Sequence, residues 1–267
     1  MAKEVFILVL CLLLCIYSGC SRKKEYNMDL INKFEARIYK NKKFRGSLPY
    51  RLYLPENYNN SQKYPIILYL HDGGPRGKDN KSQICTISEW LISSSVQSIQ
   101  KCFVMVPQCP KKSQWLNTTF KKTPFLNYNQ DEIPESNTMK MIVQEIQNLA
   151  DEFSIDKNRI YVTGYSMGGS GTWDIITRYP KLFAAAVPVT GVSDPSKAKL
   201  VAYMPIWAFH GQKDRVSLVE NTRRMVKALK KHGSNCKFSE LKDVAHDSWH
   251  LAYNNTEMIT WLFNQKK

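Results

Sequence analysis

Short apolar runs alternate with longer segments of helical periodicity from about residue 48 onward. The run Tyr64–Leu70 contains no charged residue, which is typical of a strand buried on both faces. Between 136 and 153, apolar residues recur every three or four positions, which predicts an amphipathic helix capped by Ser136 or Asn137. The same patterns predict strands at 50–54, 103–106, 159–164, 184–189, 205–209 and 236–241, and helices at 88–100, from Ser166 to about 179, 217–231 and 257–263.

Continuous apolar strands separated by helices predict an α/β domain, with a mainly parallel central sheet and helices on both faces. We place this domain at 46–267, a length that suits one domain with a large core. The long segment 109–134 has no periodic pattern, and such loops are usually functional or mobile.

The N-terminus has the features of an export signal. Lys3 precedes an apolar run from Val5 to Tyr17, which is too short to span a bilayer and fits the core of a signal peptide. Ser18-Gly19-Cys20 resembles a bacterial lipobox, so residues 1–19 are predicted to be a lipoprotein-type signal peptide and Cys20 the lipidated residue. Because Tyr17 departs from the lipobox pattern, a periplasmic or secreted protein, or an uncleaved anchor, is the alternative. Residues 20–45 are predicted to form a polar tether.

The formal net charge is +15, carried by lysines scattered along the whole chain. This distribution indicates solvated surfaces rather than a nucleic-acid interface, because the basic residues do not cluster on one aromatic platform. The charge can still attract acidic substrates or surfaces.

Four of the seven cysteines, Cys85, Cys102, Cys109 and Cys236, lie in the predicted domain. They could form up to two disulfides in an oxidising compartment, or serve as buried thiols. No spacing of Cys and His predicts a metal site, and no cofactor is expected.

Ser166 is the strongest candidate for a reactive residue. The sequence Gly164-Tyr165-Ser166-Met167-Gly168 fits G-x-S-x-G and lies between a predicted strand and a predicted helix. A serine on such a turn is held in a strained conformation, and the flanking glycines let neighbouring backbone approach. We therefore expect Ser166 to be a nucleophile.

A serine hydroxyl needs a base, and in this arrangement an acid and then a histidine follow the serine at later strand ends. Asp214 and His246 meet both conditions, whereas His250 and Asp194 are the reserve base and acid. Asp243 and Asp247 are too close to His246 in sequence to orient its ring from behind.

An oxyanion that forms on the substrate needs two amide donors. Met167 N–H follows the serine at the start of the helix, and Gly73 N–H lies in the glycine-rich loop after the central strand. His71 and His210 are expected to pack or to form hydrogen bonds rather than to react.

Aromatic residues near these positions are candidates for a substrate pocket. Trp115 lies in the long loop, with Phe120, Phe125 and Tyr128, and Trp249 follows His246 by three positions. Ordinary packing of the loop is the alternative for each of them.

Several motifs in chain order resemble the esterase and predicted-peptidase families near polyhydroxybutyrate depolymerases and feruloyl or acetylxylan esterases. The resemblance runs from about residue 46 to the end and rests on 52–58, 64–74, 106–110, 166–173, 205–211 and 246–249. It implies an α/β-hydrolase that cleaves carboxylic esters with Ser166, Asp214 and His246, with a serine peptidase or a non-catalytic binding protein as alternatives. Asp72 departs from the family, which usually has glycine there, and we expect its charge to point away from the oxyanion. The expected substrate is a small-molecule or carbohydrate-linked ester, such as an acetyl or feruloyl ester of a polysaccharide.

Overall fold

The computed structural model describes residues 25–44, 46–118 and 128–267. Within these ranges, eight strands form one sheet in the order β1-β2-β4-β3-β5-β6-β7-β8. β2 pairs antiparallel with β1 and β4, and the neighbouring strands from β4 to β8 pair in parallel. The predicted mainly parallel sheet is therefore confirmed. The strands are β1 Glu35–Asn41, β2 Gly46–Tyr53, β3 Tyr64–Leu70, β4 Phe103–Pro107, β5 Ile155–Tyr165, β6 Ala185–Val189, β7 Trp207–Gly211 and β8 Lys237–Leu241.

Helices flank this sheet, and their ends follow ordinary capping chemistry. The predicted cap is present at the longest helix, where Ser136 Oγ accepts a hydrogen bond from Met139 N–H at 3.1 Å. The predicted stop at Gly233 is also present, with a left-handed φ of +79°. The helices are α1 Met28–Asn32, α2 Thr86–Leu91, α3 Ser94–Gln97, α4 Asn137–Glu152, α5 Met167–Arg178, α6 Ala198–Val201, α7 Glu220–Lys231, α8 Trp249–Tyr253 and α9 Thr256–Phe263.

Apolar side chains fill both sides of the sheet. Along β3, Ile66 and Leu68 belong to one core cluster, whereas Ile67 and Tyr69 belong to a second cluster. Successive strand residues point to opposite faces, so both faces of β3 are buried. This two-sided burial explains why the strands lack polar alternation in the sequence.

The single helix predicted at 88–100 is two short helices, α2 and α3. Ser93 has an extended backbone between them, and its hydroxyl donates to the Trp90 carbonyl at 2.6 Å. This local hydrogen bond competes with helical pairing and ends α2.

The polar tether predicted over 20–45 contains α1 and the edge strand β1, which is a correction for that part of the chain. Buried Leu30, Ile31 and Phe34 pack α1 and the following turn against the domain. Arg51 Nη1 donates to the Phe34 carbonyl at 3.0 Å, which fastens the turn to β2. The strand was missed because β1 is an edge strand that buries none of its residues fully.

All four cysteines among the described residues are free thiols. Burial raises the pKa of the Cys102 and Cys109 thiols to about 12, so both stay protonated at neutral pH. Within the same part of the chain, no group of three or more His, Cys, Asp or Glu side chains is arranged to hold a metal ion. No helix of the described ranges combines the length and the apolar character that a bilayer span requires.

Candidate active site

Ser166 lies on the turn between β5 and α5, at the edge where the parallel strands end. Its φ of 55° and ψ of −113° are sterically unfavourable for a residue with a side chain and cost roughly 1–3 kcal/mol. The Ser166 amide donates to the Val189 carbonyl at 3.0 Å, which fastens the turn to β6. A Cβ on Gly168 would lie 1.8 Å from the Leu70 carbonyl oxygen, so only glycine lets α5 approach β3 this closely. The predicted serine turn therefore has both the strain and the close contacts that its sequence indicates.

His246 reaches Ser166 from the loop that follows β8. Its Nε2 lies 2.9 Å from Ser166 Oγ, a distance suited to proton transfer. The Tyr165 hydroxyl donates to the His246 carbonyl at 2.9 Å and holds the backbone of this loop. The loop also rests on Gly211 at the end of β7, where a Cβ would come within 2.1 Å of the Ala245 carbonyl oxygen.

Asp214 lies behind His246, in the loop that follows β7. Its Oδ2 accepts a hydrogen bond from His246 Nδ1 at 2.8 Å, which leaves Nε2 of that ring for Ser166. Its Oδ1 accepts from the backbone N–H groups of Val216 and Ser217 at 2.8 and 3.0 Å. The Asp214 side chain has no exposed surface, so these donors replace the water that the carboxylate loses.

A second histidine, His210, contacts the same carboxylate from β7. Its Nε2 lies 3.3 Å from Asp214 Oδ2 and 2.7 Å from the Ser217 carbonyl oxygen, and its Nδ1 lies 2.7 Å from Thr222 Oγ1. Burial disfavours the charged form of Asp214, but hydrogen bonds from His210 and His246 outweigh it and hold the pKa well below its usual value. Asp214 is therefore ionised at neutral pH. The sequence predicted a packing or hydrogen-bonding role for His210, but not its contact with Asp214.

The reserve residues have other partners. Asp194 accepts from the backbone N–H groups of Ser196 and Gln130 at 2.9 and 2.8 Å, so its carboxylate caps a turn. His250 Nδ1 forms a hydrogen bond with the Asp247 carbonyl. Among the described residues, the structure therefore joins Ser166 to His246 and Asp214, and to neither reserve residue.

The two predicted oxyanion donors, Gly73 and Met167, line one cavity of about 240 Å³ together with Ser166. Met167 is the first residue of α5, where N–H groups lack helical partners and the helix dipole favours negative charge. The Gly73 loop begins at buried His71, whose Nε2 accepts from Cys109 N–H at 3.0 Å. A ring that accepts at Nε2 carries its proton on Nδ1, so His71 is neutral and structural, as predicted.

Asp72 contributes to a different cavity from the one at Ser166. It lines a space of about 190 Å³ with residues that include Tyr165 and Trp249. Its Oδ2 lies 3.4 Å from Gly74 N–H. Asp72 is therefore not among the residues that line the Ser166 cavity.

Of the aromatic pocket candidates, Trp115 is corrected to a core residue. Its side chain is 0% exposed, its Nε1 donates to the His71 carbonyl at 2.8 Å, and its ring packs against His71. Tyr128 is also buried, and its hydroxyl donates to Asp174 at 2.5 Å. Trp249 is partly buried and lines the Asp72 cavity. Phe120 and Phe125 lie outside the described residues, as do Cys20 and the predicted signal peptide.

Four residues that line the Ser166 cavity were not predicted from the sequence: Arg76, Gln114, Ser170 and Ser217. Arg76 Nε donates to the Gly73 carbonyl at 2.8 Å, so its place inside the glycine-rich loop was the available signal. Ser217 had no signal of its own, since it is one of several serines that follow a strand.

The fold and the site together define the class of enzyme to which this protein belongs. A mainly parallel sheet carries a strained serine on a strand-to-helix turn, and a histidine and an aspartate from later strand ends form a hydrogen-bonded row with it. This is the arrangement of serine hydrolases with the α/β-hydrolase fold.

Comparison with known proteins narrows the class to one family. The family model described as "Putative esterase" matches residues 42–256, so the chain belongs to this esterase family. The crystal structure of a thermostable esterase is 36% identical, superposes with a TM-score of 0.80, and is matched over 89% of this chain and 64% of that chain.

Two curated proteins match shorter stretches. The bifunctional acetylxylan esterase/xylanase of Neocallimastix patriciarum is 32% identical over 75 residues, which is 28% of this chain and 11% of that protein. Poly(3-hydroxyalkanoate) depolymerase C of Paucimonas lemoignei is 42% identical over 50 residues, which is 19% of this chain and 12% of that protein. The matched stretches thus span about a tenth of each of these two proteins, and the chain spans less than two thirds of the thermostable esterase.

Proposed function

We propose that this protein hydrolyses carboxylic esters in two steps, through an acyl-enzyme on Ser166, with His246 and Asp214 completing a catalytic triad. The observation that carries the proposal is the hydrogen-bonded row from Ser166 Oγ to His246 Nε2 at 2.9 Å and from His246 Nδ1 to Asp214 Oδ2 at 2.8 Å. Membership of an esterase family supports the choice of reaction.

In the first step, His246 Nε2 takes the Ser166 proton while Ser166 Oγ attacks the ester carbonyl carbon. The resulting oxyanion accepts hydrogen bonds from the Met167 and Gly73 amides. His246 then gives the proton to the departing alkoxide, and the alcohol leaves. Water enters by the same proton path and releases the acid. Throughout the reaction, ionised Asp214 keeps the Nδ1 proton in place and stabilises the imidazolium.

The nucleophile is tested with the matched variants Ser166→Ala and Ser61→Ala. Ser166→Ala should lower kcat/KM for a short 4-nitrophenyl ester on the order of 10⁵-fold and should abolish labelling by a fluorophosphonate. Ser61 is exposed and lies outside the Ser166 cavity, so its loss should leave labelling intact. A folded Ser166→Ala protein with the parent rate would exclude Ser166 as the nucleophile. A parent protein that hydrolyses no ester would exclude the esterase function.

For the substrate, we propose an acetyl or feruloyl ester of a polysaccharide. A groove of about 520 Å³ adjoins the Ser166 cavity through Gln114, which lines both. Apart from Leu116, the other residues of the groove, among them Lys112 and Asn117, are polar and suit hydroxyl-rich sugars. The name of one relative, an acetylxylan esterase, points in the same direction.

A substrate panel tests this choice. Acetylated xylan and feruloylated arabinoxylan fragments should be cleaved with higher kcat/KM than simple alkyl esters of the same acids. Peptide substrates should be cleaved poorly or not at all. Equal rates on the polymer-linked and simple esters would contradict the polysaccharide proposal, and rapid peptide cleavage would favour a peptidase.

We also propose that the protein is exported and anchored through a lipid on Cys20. The support is the apolar run from Val5 to Tyr17 followed by Ser18-Gly19-Cys20. Metabolic labelling with a fatty acid in a bacterial host should mark the parent protein but not Cys20→Ser. An unlabelled parent protein in the medium or periplasm would instead indicate plain secretion.

A further inference from the structure

Ser217 lines the Ser166 cavity, and its buried hydroxyl group has no hydrogen-bond partner among the described residues. Ser217 is only 3% exposed. Its backbone is fully engaged, because its N–H donates to Asp214 and its carbonyl lies 2.7 Å from His210 Nε2. Buried hydroxyls are normally paired, so an unpaired one that lines a cavity beside a nucleophile points to a group supplied by the substrate.

Arg76 adds a positive charge to the same cavity. Its guanidinium contacts two backbone carbonyls, Gly73 at 2.8 Å through Nε and Ser113 at 3.3 Å through Nη1. No carboxylate of the described residues lies within ion-pair distance of it, since Arg76 takes part in none of the salt bridges there. The sequence of 119–127 contains no Asp or Glu that could pair with it. A guanidinium has five N–H donors, so donors remain for a ligand.

The cavity therefore combines an uncompensated cation with an unpaired buried hydroxyl. Both groups are hydrogen-bond donors, and the preferred acceptor of a guanidinium is a planar oxyanion such as a carboxylate. The volume of about 240 Å³ falls below the roughly 300–1,000 Å³ of pockets for larger ligands, so the group must be small. A further cavity contains the acidic Asp72, which would repel an anion.

We infer that this cavity is a subsite for a carboxylate that the substrate carries a few atoms from its ester carbonyl. The inference rests on the proposed hydrolysis of carboxylic esters, not on the polysaccharide proposal, and narrows that hydrolysis to esters of anionic compounds. The carboxylate can belong to the acyl part, as in a half-ester of a dicarboxylic acid, or to the alcohol part, as in an ester of a hydroxy acid. Both sources present the same group to Arg76 and Ser217.

Matched pairs of esters separate the two sources. Mono-4-nitrophenyl glutarate is compared with 4-nitrophenyl valerate for the acyl part, and 4-acetoxybenzoate with 4-acetoxybenzamide for the alcohol part. In one of the two pairs, the parent protein should prefer the charged ester by about tenfold or more in kcat/KM. The pair that shows the preference identifies the source of the carboxylate.

Three variants test the assigned residues. Arg76→Gln should bring the charged-to-neutral ratio close to one, and Ser217→Ala, which keeps all backbone contacts, should lower the ratio severalfold. Lys78→Gln removes the same charge at an exposed position outside the cavity and should leave the ratio unchanged. If Arg76→Gln does not fold, the carboxylate subsite is still tested by the charged-to-neutral ratios of the parent protein and of Ser217→Ala.

The outcomes distinguish this inference from the proposed function. A parent protein that hydrolyses neutral esters and shows no preference in either pair would overturn the subsite and leave the esterase intact. An Arg76→Gln protein that loses both members of the preferred pair equally would show that Arg76 only holds the Gly73 loop, and would overturn it as well. A parent protein that hydrolyses neither neutral nor charged esters would refute both proposals.

Discussion

Gly211 and Ala245 are in backbone contact at the ends of β7 and β8, and this contact carries His246 toward Asp214. A Cβ on Gly211 would lie 2.1 Å from the Ala245 carbonyl oxygen, far inside any tolerable separation. Position 211 therefore requires glycine because the loop at Ala245 lies so close to it, and not because of the backbone angles of Gly211.

Gly211→Ala should move the 244–247 loop outward and carry His246 away from Ser166. We expect kcat to fall by about 100-fold, the order of loss that a shift near 1 Å produces, and the melting temperature to fall as well. Gly46→Ala is the matched control, because its methyl group would make only ordinary van der Waals contacts, the nearest with the flexible end of Met141 at 3.4 Å. Unchanged activity in Gly211→Ala would mean that this contact does not set the position of His246.

Replacing Ser166 by glycine should stabilise the fold relative to replacement by alanine. Alanine keeps the strained backbone at φ 55°, whereas glycine adopts such angles without steric cost. Relief of roughly 1–3 kcal/mol of strain, less about 1 kcal/mol for the greater freedom of unfolded glycine, leaves a gain of about 1 kcal/mol. Urea unfolding of both inactive variants measures the difference. An alanine variant more stable than the glycine variant would show that the turn is not strained.

The ionised state of Asp214 should stabilise the fold in a pH-dependent manner. Hydrogen bonds from His210 and His246 outweigh burial and lower the pKa of Asp214, so its contribution is complete above the unfolded pKa of about 3.9 and is lost as the pH falls below it. Asp214→Asn lacks this contribution at every pH. The parent should therefore exceed the variant by on the order of 2 kcal/mol in unfolding free energy at pH 6, and by clearly less at pH 3.

The control for this comparison is Asp243→Asn, whose carboxylate is exposed and pairs with Lys213 at the surface. Its difference from the parent should be small at both pH values. A gap between parent and Asp214→Asn that stays constant from pH 6 to pH 3 would contradict a lowered pKa of Asp214.

Trp115 and Trp249 should behave as different kinds of residue. Trp115→Phe removes the hydrogen bond to the buried His71 carbonyl, so it should cost about 0.5–1.5 kcal/mol of stability. Trp249→Ala should instead change KM among esters with different alcohol or acyl groups, with a smaller effect on stability. Urea unfolding and a KM series for the two variants decide this. Equal losses of stability would show that Trp249 is a core residue too.

The parts of the site that could be predicted from sequence are those with a local cause. The Ser166 turn was predictable because steric crowding there excludes side chains and so leaves glycines in the sequence. Asp214 and His246 were predictable because parallel strands bring their carboxyl ends to the same edge of the sheet.

The parts that could not be predicted depend on partners far along the chain. Trp115 was expected to line a pocket because a buried tryptophan and an exposed one look alike within a loop, and only its contact with His71 distinguishes them. Arg76 and Ser217 stand out because, among the described residues, the first has no ion-pair partner and the hydroxyl of the second has no hydrogen-bond partner. The lack of a partner in the folded protein cannot be recognised from the sequence. The strand β1 was missed because its side chains are largely exposed on the sheet edge, which gives no apolar rhythm.

Ser166 and its proposed base, His246, are 80 positions apart in the sequence. Ser166 follows β5, and His246 follows β8. During synthesis, a growing chain therefore carries the serine long before the imidazole that would activate it. On the proposed mechanism, hydrolytic activity can appear only after residue 246 has left the ribosome and β8 has joined the sheet. If the chain crosses a membrane before it folds, the compartment that makes this enzyme would never be exposed to its activity.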